Sequence, residues 1–292
     1  MPSLKEVKNR ISSVKSTRKI TNAMKMVASS KLHHAQKTIE CMRPYEAQLA
    51  SIMQRFLSAT EGNIETAYSE KRPIEKVAII AVSSNSSLCG AFNANVIKKL
   101  LKVADEYKQQ GIDVEIYPIG KKVAKAAEKA GYIFNGDNSD VLEHPSYKAA
   151  SEIARQFMKK FCDSKIDKVE LISQHFISSS RQEVERETFL PANFELTQGD
   201  NSDKNLSRRL DYIIEPSPAE ILTSLVPATL HLQIFTMILD SIAAEHASRV
   251  IAMQVATDNA DTLIEQLTLT YNKTRQQAIT NELLDIAGGS YQ

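Results

Sequence analysis

The chain has 292 residues, a formal net charge of +1 and a hydrophobic content of 42%, which allows one or two domains with an apolar core. The near-neutral charge and the lack of aromatic residues among the N-terminal basic residues argue against a nucleic-acid-binding arm. The three cysteines follow no CxxC spacing, so neither a zinc site nor a disulfide framework is indicated, and no apolar run approaches the ~18 residues of a membrane-spanning helix.

The first predicted element is a long N-terminal helix, assigned to residues 1–60. Ser3 and Glu6 have the spacing of a capping box, which predicts a helix start. Apolar residues then recur at alternating spacings of three and four, as in a coiled coil. The apolar positions are Leu4, Val7, Ile11 and Val14, then Ile20, Met24 and Val27 after a slip, then Leu32, Ala35, Ile39 and Met42. The slip predicts an interrupted heptad repeat.

The middle of the chain predicts an α/β domain at residues 74–214, joined to the first helix by a polar linker at 61–73. The continuous apolar run at 76–82 is typical of a buried parallel strand. Further strands are predicted at 114–118, 132–134, 168–173 and 183–190, and helices at 92–110, 121–130 and 146–162. This alternation favours a Rossmann-like, mostly parallel sheet. The polar stretch 192–208 predicts a loop.

The C-terminal region, residues 215–292, predicts a single helix from Ser217 to Ala287. It begins with a capping box at Ser217 and Glu220, and Pro218 suits the first helical position. The apolar stripe consists of Leu230, Ile234, Met237, Ile238, Ile242, Ala256, Ala260, Leu263, Leu267 and Tyr271. Sixty helical residues span roughly 90 Å, so we expect this helix to protrude and to need a partner.

The N-terminal helix is the natural partner in an antiparallel coiled coil. Residues 1–43 carry ten Lys and Arg against two acidic residues, and residues 228–292 carry seven acidic residues against three basic ones. Opposite charge favours pairing, although each exposed ion pair contributes only a few tenths of a kcal/mol.

Candidate chemical sites are weak. The loop at 84–93 follows the first strand, where α/β domains often bind phosphate, but it lacks both GxGxxG and Gly-Lys-Ser/Thr. Cys89 has no histidine near it in sequence, so a buried structural thiol is favoured over a nucleophile. His33 and His34 are adjacent and cannot share one helix face as metal ligands. The sequence therefore predicts no catalytic, cofactor or metal site.

Three segments carry a resemblance to a known family. ITNAMKMVASSKL at 20–32, LCGAFN at 88–93 and YNKTRQQAITNELLDIAGG at 271–289 resemble signatures of the gamma subunits of F-type ATP synthases. Ala91 stands where a glycine is usual. The resemblance extends over the whole chain.

The resemblance implies a mechanical function. The paired terminal helices would form a central rotor shaft inside a ring of three alpha and three beta subunits, which hold the nucleotide sites. The α/β domain would be the foot, in contact with the epsilon subunit and the c-ring, at the cytoplasmic face of the bacterial inner membrane. Proton-driven rotation of the c-ring would then be coupled to ATP synthesis or hydrolysis, with no bond chemistry on this chain.

Partner contacts follow from the resemblance by matching positions. Contacts with the alpha–beta ring are implied for Met24, Lys25, Arg275, Gln276, Thr280 and Glu282. Contacts with the c-ring and epsilon subunit are implied for Tyr212 and Glu215. Two alternatives remain open at this point: an α/β nucleotide-binding enzyme with a coiled-coil oligomerisation arm, and a helical scaffold without a motor role.

Overall fold

The computed structural model describes residues 3–59, 66–134, 138–193 and 218–289. The elements in order are α1 (Leu4–Ala59), β1 (Lys76–Val82), α2 (Phe92–Gln109), β2 (Asp113–Ile119), α3 (Lys121–Lys129), β3 (Ile133–Phe134), a 3-10 helix (Ser139–Leu142), α4 (Tyr147–Cys162), β4 (Lys168–Phe176), β5 (Gln182–Leu190) and α5 (Pro218–Gly289). The chain divides into two compact units, one comprising residues 1–30 and 249–292, the other residues 31–248.

The larger unit contains a five-stranded sheet with the strand order β3-β2-β1-β4-β5. β1 pairs in parallel with β2 and β4, and β2 pairs in parallel with β3. β5 returns antiparallel to β4 through the turn after Phe176. The predicted mostly parallel α/β domain is therefore confirmed. β4 extends three residues beyond its predicted end at Ser173, because pairing with β5 continues to Phe176.

Side chains of β1 alternate between the two faces of the sheet, and all of them after Lys76 are buried. One face packs on α2 and α3, through Val77, Ile79 and Ala81. The other face, through Ala78, Ile80 and Val82, packs on α4 and on the segments of α1 and α5 that belong to the larger unit. Covered faces on both sides explain why the strand is an unbroken apolar run.

A buried carboxylate joins β4 to its neighbours. Glu170 is 1% exposed, and its carboxylate accepts hydrogen bonds from Tyr107 Oη (2.5 Å) and from Arg186 Nε and Nη2 (2.8 and 3.0 Å). Lys168 Nζ lies 2.8 Å away. Burial alone would raise the pKa of Glu170, but the hydrogen bonds from Arg186, Lys168 and Tyr107 outweigh it and lower that pKa.

Helix α5 contains an apolar stretch that meets the length and composition criteria of a membrane-spanning helix, with a mean hydropathy of 1.6, although the sequence has no uninterrupted apolar run. Leu230, Ile234 and Ile238 of this helix are buried in the core of the larger unit. Packing against the α/β domain therefore accounts for their apolar character.

Candidate functional site: the paired terminal helices

The smaller unit is formed by the two chain ends, which pair antiparallel as predicted. Arg18 Nη1 donates to Asp261 Oδ1 at 2.7 Å, and Lys25 Nζ donates to Gln254 Oε1 at 2.8 Å. Between them, the hydroxyl oxygen of Thr21 lies 2.9 Å from that of Thr257. As the position on α1 rises from 18 to 25, its partner on α5 falls from 261 to 254, so the helices run in opposite directions with a constant register.

The seam of α1 differs from the predicted one between residues 14 and 32. Ile20 and Val27 are 60% and 59% exposed, whereas Thr21 and Ala28 are buried. The assignment of Ile20 and Val27 to the seam is therefore wrong. The positions at alternating spacings of four and three are instead Val14, Arg18, Thr21, Lys25, Ala28 and Leu32. The heptad repeat continues without a slip, because polar residues occupy three consecutive seam positions.

The seam of α5 shows a smaller correction. Met253 and Ala260 are buried, but Leu263 is 47% exposed, so its assignment to the seam is wrong. Ile264, one residue further on, is half-buried. The resulting α5 positions, at spacings of four and three, are Met253, Thr257, Ala260, Ile264, Leu267, Tyr271 and Thr274.

The predicted ring contacts occupy two environments. Met24 and Lys25 are half-buried on α1. Arg275, Gln276, Thr280 and Glu282 are exposed on the last turns of α5. Tyr212 and Glu215, the predicted foot contacts, lie outside the described residues, as does the capping residue Ser217. At the other helix start, the Glu6 amide donates to Ser3 Oγ at 3.2 Å.

Large apolar side chains remain exposed along this unit, and sequence reasoning missed their significance by assigning several of them to the seam. They are Ile20, Met26, Val27, Ile251, Val255, Leu263, Leu269, Ile279, Leu283, Leu284 and Ile286. Isolated exposed apolar residues are normal, but an extended set of them marks a surface that binds another protein.

The last turns of α5 extend past the start of α1. The register of the three bridges places Leu4 opposite Thr274, so in the described part of the chain residues after about 275 have no partner on α1. A helical segment without tertiary packing is marginally stable. In the isolated chain, we therefore expect backbone amides at 278–289 to exchange with deuterium at least about tenfold faster than those at 253–271. Mass spectrometry of exchanged peptides measures this, and equal protection of the two segments would contradict it.

The loop after β1 is closed by its own side chains. Asn93 Nδ2 donates to Ser84 Oγ (2.8 Å) and to Cys89 Sγ (3.0 Å), and the Ser84 amide donates to Asn93 Oδ1 (3.0 Å). Cys89 is 1% exposed and packs with Phe92 and Ala244, so the predicted buried structural thiol is confirmed. Ala91 has φ −84°, a conformation that needs no glycine.

The turn after β2 closes the same edge of the sheet. Gly120 has φ 112°, and a Cβ on it would lie 2.3 Å from the Ser83 carbonyl oxygen. The backbone amides of Lys121 and Val123 donate to Asn85 Oδ1 (3.2 Å) and Ser83 Oγ (3.0 Å), at the place where a doubly wound domain would bind a phosphate. This geometry does not favour the nucleotide-binding alternative.

A cleft of about 740 Å³ lies between α1, β4, β5 and α5 within the larger unit. His175 Nδ1 is 2.6 Å from the Asp240 carboxylate. Burial raises the pKa of Asp240 despite His175, and burial, together with the charge of Asp240, raises the pKa of Glu46. Such shifted groups occur at active sites and in structural ion pairs alike, so they do not by themselves favour an enzyme. Among the described residues, no three His, Cys, Asp or Glu side chains are placed to hold a metal ion.

Comparisons with known proteins agree with this architecture. A family model described as ATP synthase matches residues 3–291. The ATP synthase gamma chain of Bacteroides fragilis is 53% identical over 291 residues and covers 99% of each chain. The gamma chain of Christiangramia forsetii is 42% identical and covers 99% of this chain and 98% of its own.

Two solved structures share the fold. One, from the central stalk and c-ring of the Tetrahymena thermophila mitochondrial ATP synthase, has a TM-score of 0.58 at 22% identity and covers 81% of this chain and 99% of its own. Another, from the Euglena gracilis mitochondrial ATP synthase, has a TM-score of 0.53 at 18% identity, with 92% and 94% covered. With a family model and gamma chains of up to 53% identity matching along its length, this chain belongs to the ATP synthase gamma-chain family.

Proposed function

We propose that this chain is the central rotor shaft of an ATP synthase, which couples rotation of a proton-driven c-ring to ATP synthesis or hydrolysis at sites on the beta subunits. The observation that carries the proposal is the extended set of exposed apolar side chains on the paired terminal helices. A two-helix coil with such a surface is stabilised by an enclosing partner. In this proposal the enclosing partner is a ring of three alpha and three beta subunits, which family membership supports.

The mechanism follows from the asymmetry of the coil. Two antiparallel helices present different side chains in each direction, so each shaft angle makes different contacts with the three beta subunits. A contact that favours one conformation of a beta subunit over another shifts its population. The shaft angle thereby selects which nucleotide site is open, and the coupling free energy resides in these contacts.

We assign the ring contacts to Met24, Lys25, Arg275, Gln276, Thr280 and Glu282. We assign the contacts with epsilon and the c-ring to Tyr212 and Glu215. In this proposal residues 1–60 and 215–292 form the shaft, 61–73 the linker and 74–214 the foot. The complex lies at the cytoplasmic face of the bacterial inner membrane, and this chain associates with the membrane only through it. The chain itself carries no catalytic residues.

The test uses the assembled complex in inverted membrane vesicles. Leu283→Asp with Ile286→Asp replaces two exposed apolar residues on the tail of α5 and is expected to lower proton pumping per ATP hydrolysed at least about fivefold. Asn272→Asp, an exposed polar position on the same helix, serves as the matched control and should leave the ratio unchanged. An unchanged ratio in the double variant would favour the helical scaffold without a motor role, and tight ATP binding by the isolated chain would favour the enzyme alternative.

A further inference from the structure

Three consecutive seam positions of α1 are polar, and each of them is bridged to α5. Arg18 reaches Asp261, Thr21 meets Thr257, and Lys25 reaches Gln254, at distances of 2.7 to 2.9 Å. Val14 precedes these layers on α1, and the buried Ala28 follows them. The polar segment is therefore enclosed by apolar packing on both sides.

These bridges contribute little stability. The side chains of Arg18 and Asp261 are 44% and 48% exposed, and exposed ion pairs are weak and screened by salt. Apolar residues at the same seam positions would bury more apolar surface. What polar seam residues provide in coiled coils is a defined register, because a misaligned helix leaves them without partners.

Register matters within the smaller unit because the layers between the polar segment and the start of α1 discriminate poorly. Between the start of α1 and the polar segment, the seam pairs Val7, Ile11 and Val14 with aliphatic and aromatic side chains of α5. These apolar pairs tolerate a shift of one heptad. Such a shift would place Thr21 opposite Val250 or Ile264, neither of which offers a hydrogen bond, and would retain at most one polar pair, Lys25 with Asp261 or Arg18 with Gln254.

We infer that Arg18, Thr21 and Lys25, with Asp261, Thr257 and Gln254, are the residues that set the register of the two terminal helices within the smaller unit. They determine the axial position of α5 relative to α1. They thereby determine how far the exposed tail, residues 275–289, extends beyond the start of α1. The consequence for coupling rests on the proposed function, whereas the register itself does not.

Disulfide trapping in the isolated full-length chain tests the register. The exposed Cys41 and Cys162 are replaced by serine, and the buried Cys89 is kept. Val14→Cys with Ile264→Cys reports the native register. Val14→Cys with Tyr271→Cys and Val7→Cys with Ile264→Cys report shifts of one heptad in the two directions. The native pair is expected to oxidise fully, and each shifted pair to less than about one-tenth of that extent.

The decisive variant replaces two of the three polar bridges by apolar side chains, with Arg18→Leu, Asp261→Leu, Thr21→Val and Thr257→Val. Cross-linking of at least one shifted pair is expected to rise about fivefold or more, while the melting temperature stays equal or increases. Unchanged background cross-linking of both shifted pairs would overturn the inference, and so would a lowered melting temperature without any shift. Arg18→Asp with Asp261→Arg should retain the native register alone. Lys15→Leu with Glu265→Leu, at exposed positions, is the matched control and should change neither readout.

The assembled complex then separates this inference from the proposed function. If the apolar variant slips in register and also pumps several-fold fewer protons per ATP, both are supported. If it slips while coupling is unchanged, the register inference stands and the rotor-shaft proposal fails.

Discussion

Replacing Ala28 by glutamate is expected to lower the free energy of unfolding of the paired terminal helices by about 3 kcal/mol or more. Ala28 is 1% exposed at a seam position, so a longer side chain overpacks the seam and its charge has no partner there. The chain contains no tryptophan, so thermal unfolding is best followed by far-UV circular dichroism, together with hydrogen exchange in residues 3–30.

The adjacent residue provides the control. Val27 is 59% exposed, and Val27→Glu should change the free energy of unfolding of the isolated chain by no more than about 0.5 kcal/mol. The pair therefore distinguishes the observed seam from the one predicted by apolar periodicity, which contains Val27. Equal destabilisation by the two substitutions, or a larger effect at Val27, would show that Ala28 is not the seam position.

Replacing Glu170 by glutamine is expected to lower the free energy of unfolding of the larger unit by about 2–3 kcal/mol at pH 7, because the partly exposed charges of Arg186 and Lys168 lose the buried carboxylate that accepts their hydrogen bonds. Glu106→Gln is the matched control. Glu106 accepts a hydrogen bond from the outer nitrogen of the same guanidinium at 2.9 Å, but its side chain is 41% exposed, so about 1 kcal/mol or less is expected.

The Glu170 effect should depend on pH in a defined direction. The folded pKa of Glu170 is lowered from its ordinary value of 4.5, so the stabilisation is fully present above that value and is lost as pH falls through the folded pKa. The difference between the parent chain and Glu170→Gln should therefore be constant between pH 6 and 8 and shrink below about pH 4.5. Urea titrations at pH 7, 5, 4 and 3 measure it. A difference that grows on acidification would contradict the assigned charge state.

Strand β1 shows what local patterning captures. Its predicted and observed ranges coincide at Lys76–Val82, because a strand covered on both faces must be apolar at every position. The long helices were equally accessible to prediction, since capping signals and the absence of glycine over some sixty residues are local properties. The antiparallel pairing followed from the position of the two helices at opposite ends of the chain and from their opposite charge.

The seam between residues 14 and 32 was not accessible in the same way. Apolar periodicity predicts Ile20 and Val27 as seam residues, because hydrophobicity shows that a side chain is apolar but not which surface packs against it. Arg18, Thr21 and Lys25 continue the heptad spacing, but apolar periodicity passes over them because they are polar. A stricter count of heptad positions, including polar residues, would have shown the uninterrupted repeat.

The sequence alone determined the element types, the pairing of the two chain ends and the family, because propensity, capping, apolar patterning and long signature motifs are carried by neighbouring residues. The tertiary structure decided which face of each long helix is buried and that Arg186 meets Glu170. Each of these depends on residues distant in the chain or on the register of one element against another. Which face of a helix is buried depends on the surface that packs against it, and the local sequence does not specify that surface.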